Sequence, residues 1–275
     1  MKITNKQVDS RIAFLGAGKM AEALINGLTR SGLVKPSSII ASDVSSDRIS
    51  YIKKKFGIKV TDENDAAVEN SDVIFFCVKP RHMEEVLEEI GQLLKPSQLV
   101  ISIAAGVTTG FLEKFLHGDV PVVRAMPNTP ALVGEGATAV SPGKWAGRTH
   151  VELAMSIFST VGLVIEVPEE QIDAVTALSG SGPAYVFYLA EAMERAGVEI
   201  GLDKHVAEQL ARRTIHGAGK MLFELQEPAS ELRMNVTSPG GTTEAAIKYL
   251  ERINFLELFG RAVKQAHKRS QELKK

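Results

Sequence analysis

Two stretches of this 275-residue chain carry residue types whose order suits them to chemistry. In residues 236–247, Ser238-Pro239-Gly240-Gly241-Thr242-Thr243 runs straight into a helical pattern through Ala245, Ala246 and Ile247. A helix start leaves N–H groups unpaired and carries partial positive charge, so glycines that bare the backbone, joined by hydroxyls, make a site for a small anion. In this reading Pro239 takes the first helical position. A plain cap needs one hydroxyl, not Pro-Gly-Gly-Thr-Thr.

The second stretch is Gly16-Ala17-Gly18-Lys19-Met20-Ala21, entered from the short apolar run Arg11-Ile12-Ala13-Phe14-Leu15 and left by Met20, Ala23, Leu24, Gly27 and Leu28 at helical spacing. Gly16 and Gly18 permit a tight turn and the approach of a pyrophosphate, while small Ala21 takes the third place of a dinucleotide fingerprint. A bare glycine turn is the alternative; the strand before, the helix after and a second strand over residues 38–42 make it the weaker one. Asp43 closes that second strand, near the offset of about 20 residues at which a carboxylate meets the adenosine ribose. There it favours NAD and repels a 2′-phosphate. The same aspartate also suits a cap for the helix holding Arg48, Ile49 and Ile52, and the sequence leaves both roles open.

These residues need a scaffold, and the hydropathy pattern supplies one. Apolar runs at residues 58–60, 72–78, 99–103, 120–124, 138–141 and 162–167 alternate with helical patterns near residues 64–69, through Met83, Val86, Leu87, Ile90 and Leu94, from Thr108, and over residues 151–159. Repeated βα units with near-continuous apolar strands predict a Rossmann-like, doubly wound, mostly parallel α/β sheet with ligands at the strand carboxyl ends. Val78-Lys79-Pro80 and Ala104-Ala105-Gly106 fall at such ends. Lys79 divides evenly between a solvated charge and a cofactor contact. Arg124-Ala125-Met126-Pro127-Asn128-Thr129-Pro130 is stiff, fitting either a segment that holds Asn128 at the cofactor or a rigid crossover. The first domain is expected to span residues 1–168.

Beyond it, residues 169–275 read as all-α. The helix opened by Pro183 carries Ala184, Val186, Phe187, Leu189, Ala190, Ala192, Met193 and Ala196 on nearly every side, as a helix buried all round does. Its successor is stocked with Ala207, Ala211, Gly217, Ala218 and Gly219, small enough for close helix approach. So few helices cannot bury such a helix within one chain, so a second copy is expected to complete the domain.

With Lys+Arg at 32 and Asp+Glu at 33, no global field recruits nucleic acid or an anionic membrane. No apolar run reaches the roughly 18–20 residues needed to span a bilayer. Residues 1–11 show no targeting signal, and the single cysteine, Cys77, is read as a buried inert thiol, which fits a reducing cytoplasm. The six histidines are scattered and no metal site is expected.

The two motifs above, together with Arg124 to Pro130 and Leu178-Ser179-Gly180-Ser181-Gly182-Pro183-Ala184, closely resemble those of the pyrroline-5-carboxylate reductases over nearly the whole chain. The resemblance implies reduction of 1-pyrroline-5-carboxylate to L-proline, the last step of proline biosynthesis, with NADPH or NADH as cofactor; Asp43 leans the choice to NADH. It implies cofactor contacts at Gly16, Ala17, Gly18, Lys19, Met20, Ser42, Asp43, Asn64, Val78, Lys79, Pro80, Ala104, Ala105 and Asn128. Substrate contacts are implied at Ser238, Gly240, Gly241, Thr242 and Thr243, with Thr243 the candidate catalytic residue, and a homodimer through the C-terminal helices, extended by analogy to a ring of dimers. Met234 departs from the pattern, since relatives commonly carry an acid there. Two other readings remain: a different imine reductase or β-hydroxyacid dehydrogenase, which would need a catalytic Lys or acid at the centre of the helix after the boundary, and a non-catalytic dinucleotide sensor, which would have no use for the anion turn.

Overall fold

The computed structural model describes residues 9–275, so most of the N-terminal stretch read for targeting lies outside the described residues. In chain order the first elements are β1 (Ile12–Leu15), α1 (Lys19–Ser31), β2 (Ile39–Ser42), α2 (Ser46–Phe56), β3 (Lys59–Thr61), α3 (Asn64–Val68), β4 (Val73–Phe76), α4 (Met83–Ile90), β5 (Leu99–Ser102), α5 (Thr109–Glu113) and β6 (Val122–Met126). There follow β7 (Gly136–Pro142), α6 (Arg148–Ser159), β8 (Gly162–Glu166) and α7 (Ile172–Val175), then the helices α8 (Gly182–Glu199), α9 (Lys204–Leu225), α10 (Ala229–Asn235), α11 (Thr242–Arg252) and α12 (Phe255–Glu272).

The strands form one eight-stranded sheet in the order β3-β2-β1-β4-β5-β6-β7-β8. Among the described residues only β6 and β7 pair antiparallel, Val123 opposite Pro142 and Met126 opposite Ala139. Residues 127–135 are too few for a helical crossover, which needs a dozen or more, so the chain turns back. Alternation along β1 sends Ile12 and Phe14 into one core with Leu24 and Leu28 of α1 and Phe158 of α6. Ala13 and Leu15 enter a second core with Ala67 of α3 and Met83 and Leu87 of α4. Strands buried on both faces must be apolar throughout, and β1, β4 and β5 are fully buried. The order of strands reverses at β1 and β4, which opens a crevice outside their carboxyl ends.

By packing, the chain divides into two compact units, residues up to Gly180 with Ala266–Lys275, and Ser181–Gln265. Pro168 marks the exit from the last strand, but the sheet unit runs on past it because Ile172, Asp173 and Ala177 are buried. It also includes the last part of α12, whose Ser270 is buried and donates to Asp173 Oδ1 at 2.8 Å. In the second unit α8 and α9 approach closely: a Cβ on Gly197 would stand 2.9 Å from that of Ala207. Ala207 and Ala211 are buried there. Most of α8 is not, with Phe187 at 65%, Tyr188 at 74% and Leu189 at 50% exposure. Gly217 and Gly219 likewise face open space.

Candidate active site

In the sheet unit the glycine turn joins β1 to α1. Gly16 lies against the main chain of Cys77, where a Cβ would come within 3.0 Å, so the turn hugs the end of β4. Around it lies a cleft of about 480 Å³ lined by Gly16, Gly18, Asp43, Asn64, Val78 and Lys79, with His82, Glu85 and Glu89 of the following turn and helix. These sit at the strand carboxyl ends, as expected. Lys79 is exposed and forms no ion pair among the described residues. Pro80 opens a short 3-10 turn, Pro80–His82, before α4 begins at Met83.

Asp43 does not cap α2. Ser45 does, its hydroxyl accepting the Arg48 N–H. The Asp43 carboxylate instead receives the Ala17 N–H at 2.8 Å on one oxygen and the Ser45 N–H at 2.9 Å on the other, locking β2 to the glycine turn. A carboxylate has about four acceptor positions, so two remain for a ribose diol. Ser42 is buried and donates to Asn64 Oδ1 at 2.7 Å, while Asn64 donates to Glu89 at 2.8 Å, which fixes the amide at the cleft wall. Ala17 is buried and Met20 packs against the core, so they shape the turn from below. Asn128 is committed to the framework: it accepts the Ala137 N–H at 2.8 Å and donates to the Ser179 carbonyl at 3.1 Å. These bonds hold the segment after β6 still. Burial pushes the Cys77 thiol well above its ordinary range, in keeping with an inert side chain.

A residue outside the two motifs supports this wall. Glu22 of α1 is buried and takes hydrogen bonds from Arg48 at 2.5 Å, Lys55 at 2.8 Å and Tyr51 at 2.9 Å. Arg48 also donates to the carbonyls of Ala17 and Gly18. Burial is the largest single influence on Glu22 and would raise its pKa; the bonds from Lys55, Arg48 and Tyr51 together overcome it and lower the pKa to about 2. An acid on the apolar face of α1, beside Ala21, Ala23 and Ile25, was the signal in the sequence.

In the helical unit the second motif departs from expectation in detail. The helix starts at Thr242 with Gly241 as its cap, and Pro239 stands in a turn before it. The Gly241 N–H closes that turn on the Ser238 carbonyl at 3.0 Å, and Gly240, at φ 71°, supplies the left-handed step that a turn with Pro second and Gly third requires. The Gly240 N–H is also taken, by Glu244 Oε2 at 3.0 Å. Two donors expected for an anion are therefore used internally. Those of Thr242, Thr243 and Glu244 have no partner among the described residues, nor do the two threonine hydroxyls. The Glu244 carboxyl is held below its usual range, first by the Gly240 N–H and then by Lys248. Met234 lies in α10 with its side chain exposed and caps nothing; its carbonyl accepts the Thr237 N–H.

Among the described residues no group of three or more His, Cys, Asp or Glu is placed to hold a metal, and no helix is long and apolar enough to cross a membrane.

Residues 169–273 match the family model described as pyrroline-5-carboxylate reductase dimerisation, and residues 11–106 that described as NADP oxidoreductase, coenzyme F420-dependent. A pyrroline-5-carboxylate reductase of Pseudomonas aeruginosa is 44% identical over 96% of this chain and 96% of its own. That of Methanosarcina acetivorans is 42% identical over 97% and 99%. Among solved structures, the reductase of Coxiella burnetii superposes with a TM-score of 0.91 at 43% identity, over 98% of this chain and all of its own. That of Plasmodium falciparum, with NADP bound, gives 0.87 at 31%, over 98% and 100%. The chain belongs to the pyrroline-5-carboxylate reductase family.

Proposed function

We propose that this chain reduces 1-pyrroline-5-carboxylate to L-proline with a nicotinamide dinucleotide, the last step of proline biosynthesis. The observation that carries the cofactor half is the glycine turn pinned by Asp43 inside the cleft at the strand ends; family membership supplies the substrate. When bound, the nicotinamide supplies a hydride for the imine carbon. The chain's residues position and neutralise. Gly16, Ala17 and Gly18, with Lys19 and Met20 opening α1, take the pyrophosphate; Ser42, Asp43 and Asn64 take the adenosine side; Val78, Lys79, Pro80, Ala104, Ala105 and Asn128 border the nicotinamide side.

Ser238, Gly240 and Gly241 shape the anion turn, and the free N–H groups of Thr242 and Thr243 receive the substrate carboxylate, favoured by the helix dipole. The imine enters protonated, and Thr243 Oγ1 hydrogen-bonds its nitrogen as the charge there is lost. Positioning then does most of the work. Asp43 leans the cofactor choice to NADH, although a structural neighbour holds NADP. The matched dimerisation model and the apolar faces of α8 support a homodimer through the C-terminal helices, a ring of dimers being its extension, and the enzyme works in the cytoplasm.

The test follows NADH and NADPH absorbance with and without 1-pyrroline-5-carboxylate. Substrate-dependent loss is expected with at least one cofactor. Binding of dinucleotide without turnover would leave a sensor, and turnover only with other imines or with hydroxyacids would reassign the substrate.

A further inference from the structure

The end of α12 and the residues after it lie on the loop that leaves β5. Beyond the buried clasp of Ser270 on Asp173, the Lys275 N–H donates to the Gly106 carbonyl at 2.8 Å. The Thr108 hydroxyl donates back to the Lys275 carbonyl at 2.9 Å, so the two segments are joined by a reciprocal pair of bonds. Lys275 Nζ stands 3.6 Å from Glu84 Oε2 of α4 and 5.6 Å from the ring centroid of Phe111 in α5. Gly106 is at φ 76°, and a Cβ there would stand 2.4 Å from the Leu273 carbonyl oxygen. The contact excludes any side chain.

The loop so held is Ala104-Ala105-Gly106, at the carboxyl end of β5. Since β5 pairs parallel with β4, it opens at the same sheet edge as Val78 and Lys79. Its own closure is weak: Val107 N–H reaches the Ala104 carbonyl at 3.4 Å and Ala104 N–H the Ser102 hydroxyl at 3.3 Å. A loop with such long internal bonds needs an outside brace to keep one conformation, and a ligand that needs that conformation otherwise bears the ordering cost on binding.

We propose that residues 270–275 are a positioning element for the cofactor: they hold the Ala104–Gly106 loop ready for the nicotinamide half of the dinucleotide. The inference rests on the reductase reading above. The last part of α12 that carries this brace, from Ala266 on, belongs to the sheet unit.

The experiment measures NADH and NADPH dissociation constants by fluorescence titration, and Michaelis constants for cofactor and imine, for the full chain, for a chain lacking residues 271–275 and for Gly106→Ala. The deletion keeps the Ser270 clasp; the substitution keeps the segment but forces Leu273 off the loop, and it reads the same quantity if the shortened chain does not fold. Both variants should match the full chain in oligomeric state while binding cofactor about 10-fold more weakly, a change of about 1.4 kcal/mol. The Michaelis constant for the imine should stay within about two-fold, a split that general loosening of the fold does not produce. Folded variants with unchanged cofactor affinity would overturn the inference alone. A full chain that binds neither dinucleotide would overturn the reductase reading and this inference with it.

Discussion

Thr243 is the second residue of α11 and has Gly241, not itself, as the helix cap, so Thr243→Ala removes one hydroxyl without loosening the helix start. The backbone N–H groups stay, and carboxylate binding with them. Turnover should fall about 10-fold to 100-fold in kcat and in kcat/KM alike, the loss expected for one neutral hydrogen bond made in the transition state. A raised KM at unchanged kcat in steady-state assays would make the contact a uniform binding one. Asp43 ties the glycine turn to β2 and is proposed to face the ribose, and its substitution should separate the two roles. Asp43→Ser removes charge that repels a 2′-phosphate, so KM for NADPH should fall while that for NADH holds or rises as the Ala17 tie is weakened. If both constants stay where they were, Asp43 serves the framework alone and the lean to NADH is lost. The sequence offered ribose partner or helix cap for this residue. What it could not show was the bond from the Ala17 N–H, because that bond joins positions remote in sequence.

At the level of elements, α2 is fastened to α1 through Glu22, where Arg48, Tyr51 and Lys55 converge. The carboxylate's pKa in the fold is about 2, below its ordinary 4.5. A depressed acid stabilises the fold fully above its unfolded pKa, and that stabilisation drains as pH falls from about 4.5 towards 2. The shift corresponds to ~3 kcal/mol at most, and to less in practice because Lys55, at 44% exposure, is screened by water. Urea midpoints of Glu22→Gln and the original chain should therefore differ most near neutral pH and converge in acid; a gap that does not narrow below pH 4 would remove the linkage. Strands and their helices were legible because short continuous apolar runs alternate with period-3.6 patterns, and the glycine turn because strand, glycines and helix are contiguous. The start of α11 was misplaced at Pro239. Proline suits a first helical turn and the second place of a β-turn equally well, and only the left-handed backbone of Gly240, with Glu244 folded over its N–H, decides between them.

For the molecule as a whole, the sequence showed that α8 must be covered by something outside a single chain, and the structure leaves its apolar side chains bare. Fully burying a side chain such as Phe187 or Leu189 is worth about 1.5–3 kcal/mol each, so a partner that covers several of them offsets the cost of association. Light scattering at micromolar concentration should find at least a dimer, and a monodisperse monomer would refute that. The brace from Ser270 to Lys275 was not legible, because its contacts, at Asp173, Gly106 and Thr108, lie at sites distant in sequence. The bareness of α8 bears on more than assembly. If the folded form is completed only by a second copy, mass action enters the stability itself: diluting the protein favours the unfolded chain, and concentrating it does the reverse. Calorimetry across a hundred-fold range of protein concentration should show the melting temperature climbing by roughly 1 °C for each ten-fold step, so that how well this protein holds together depends on how much of it is present.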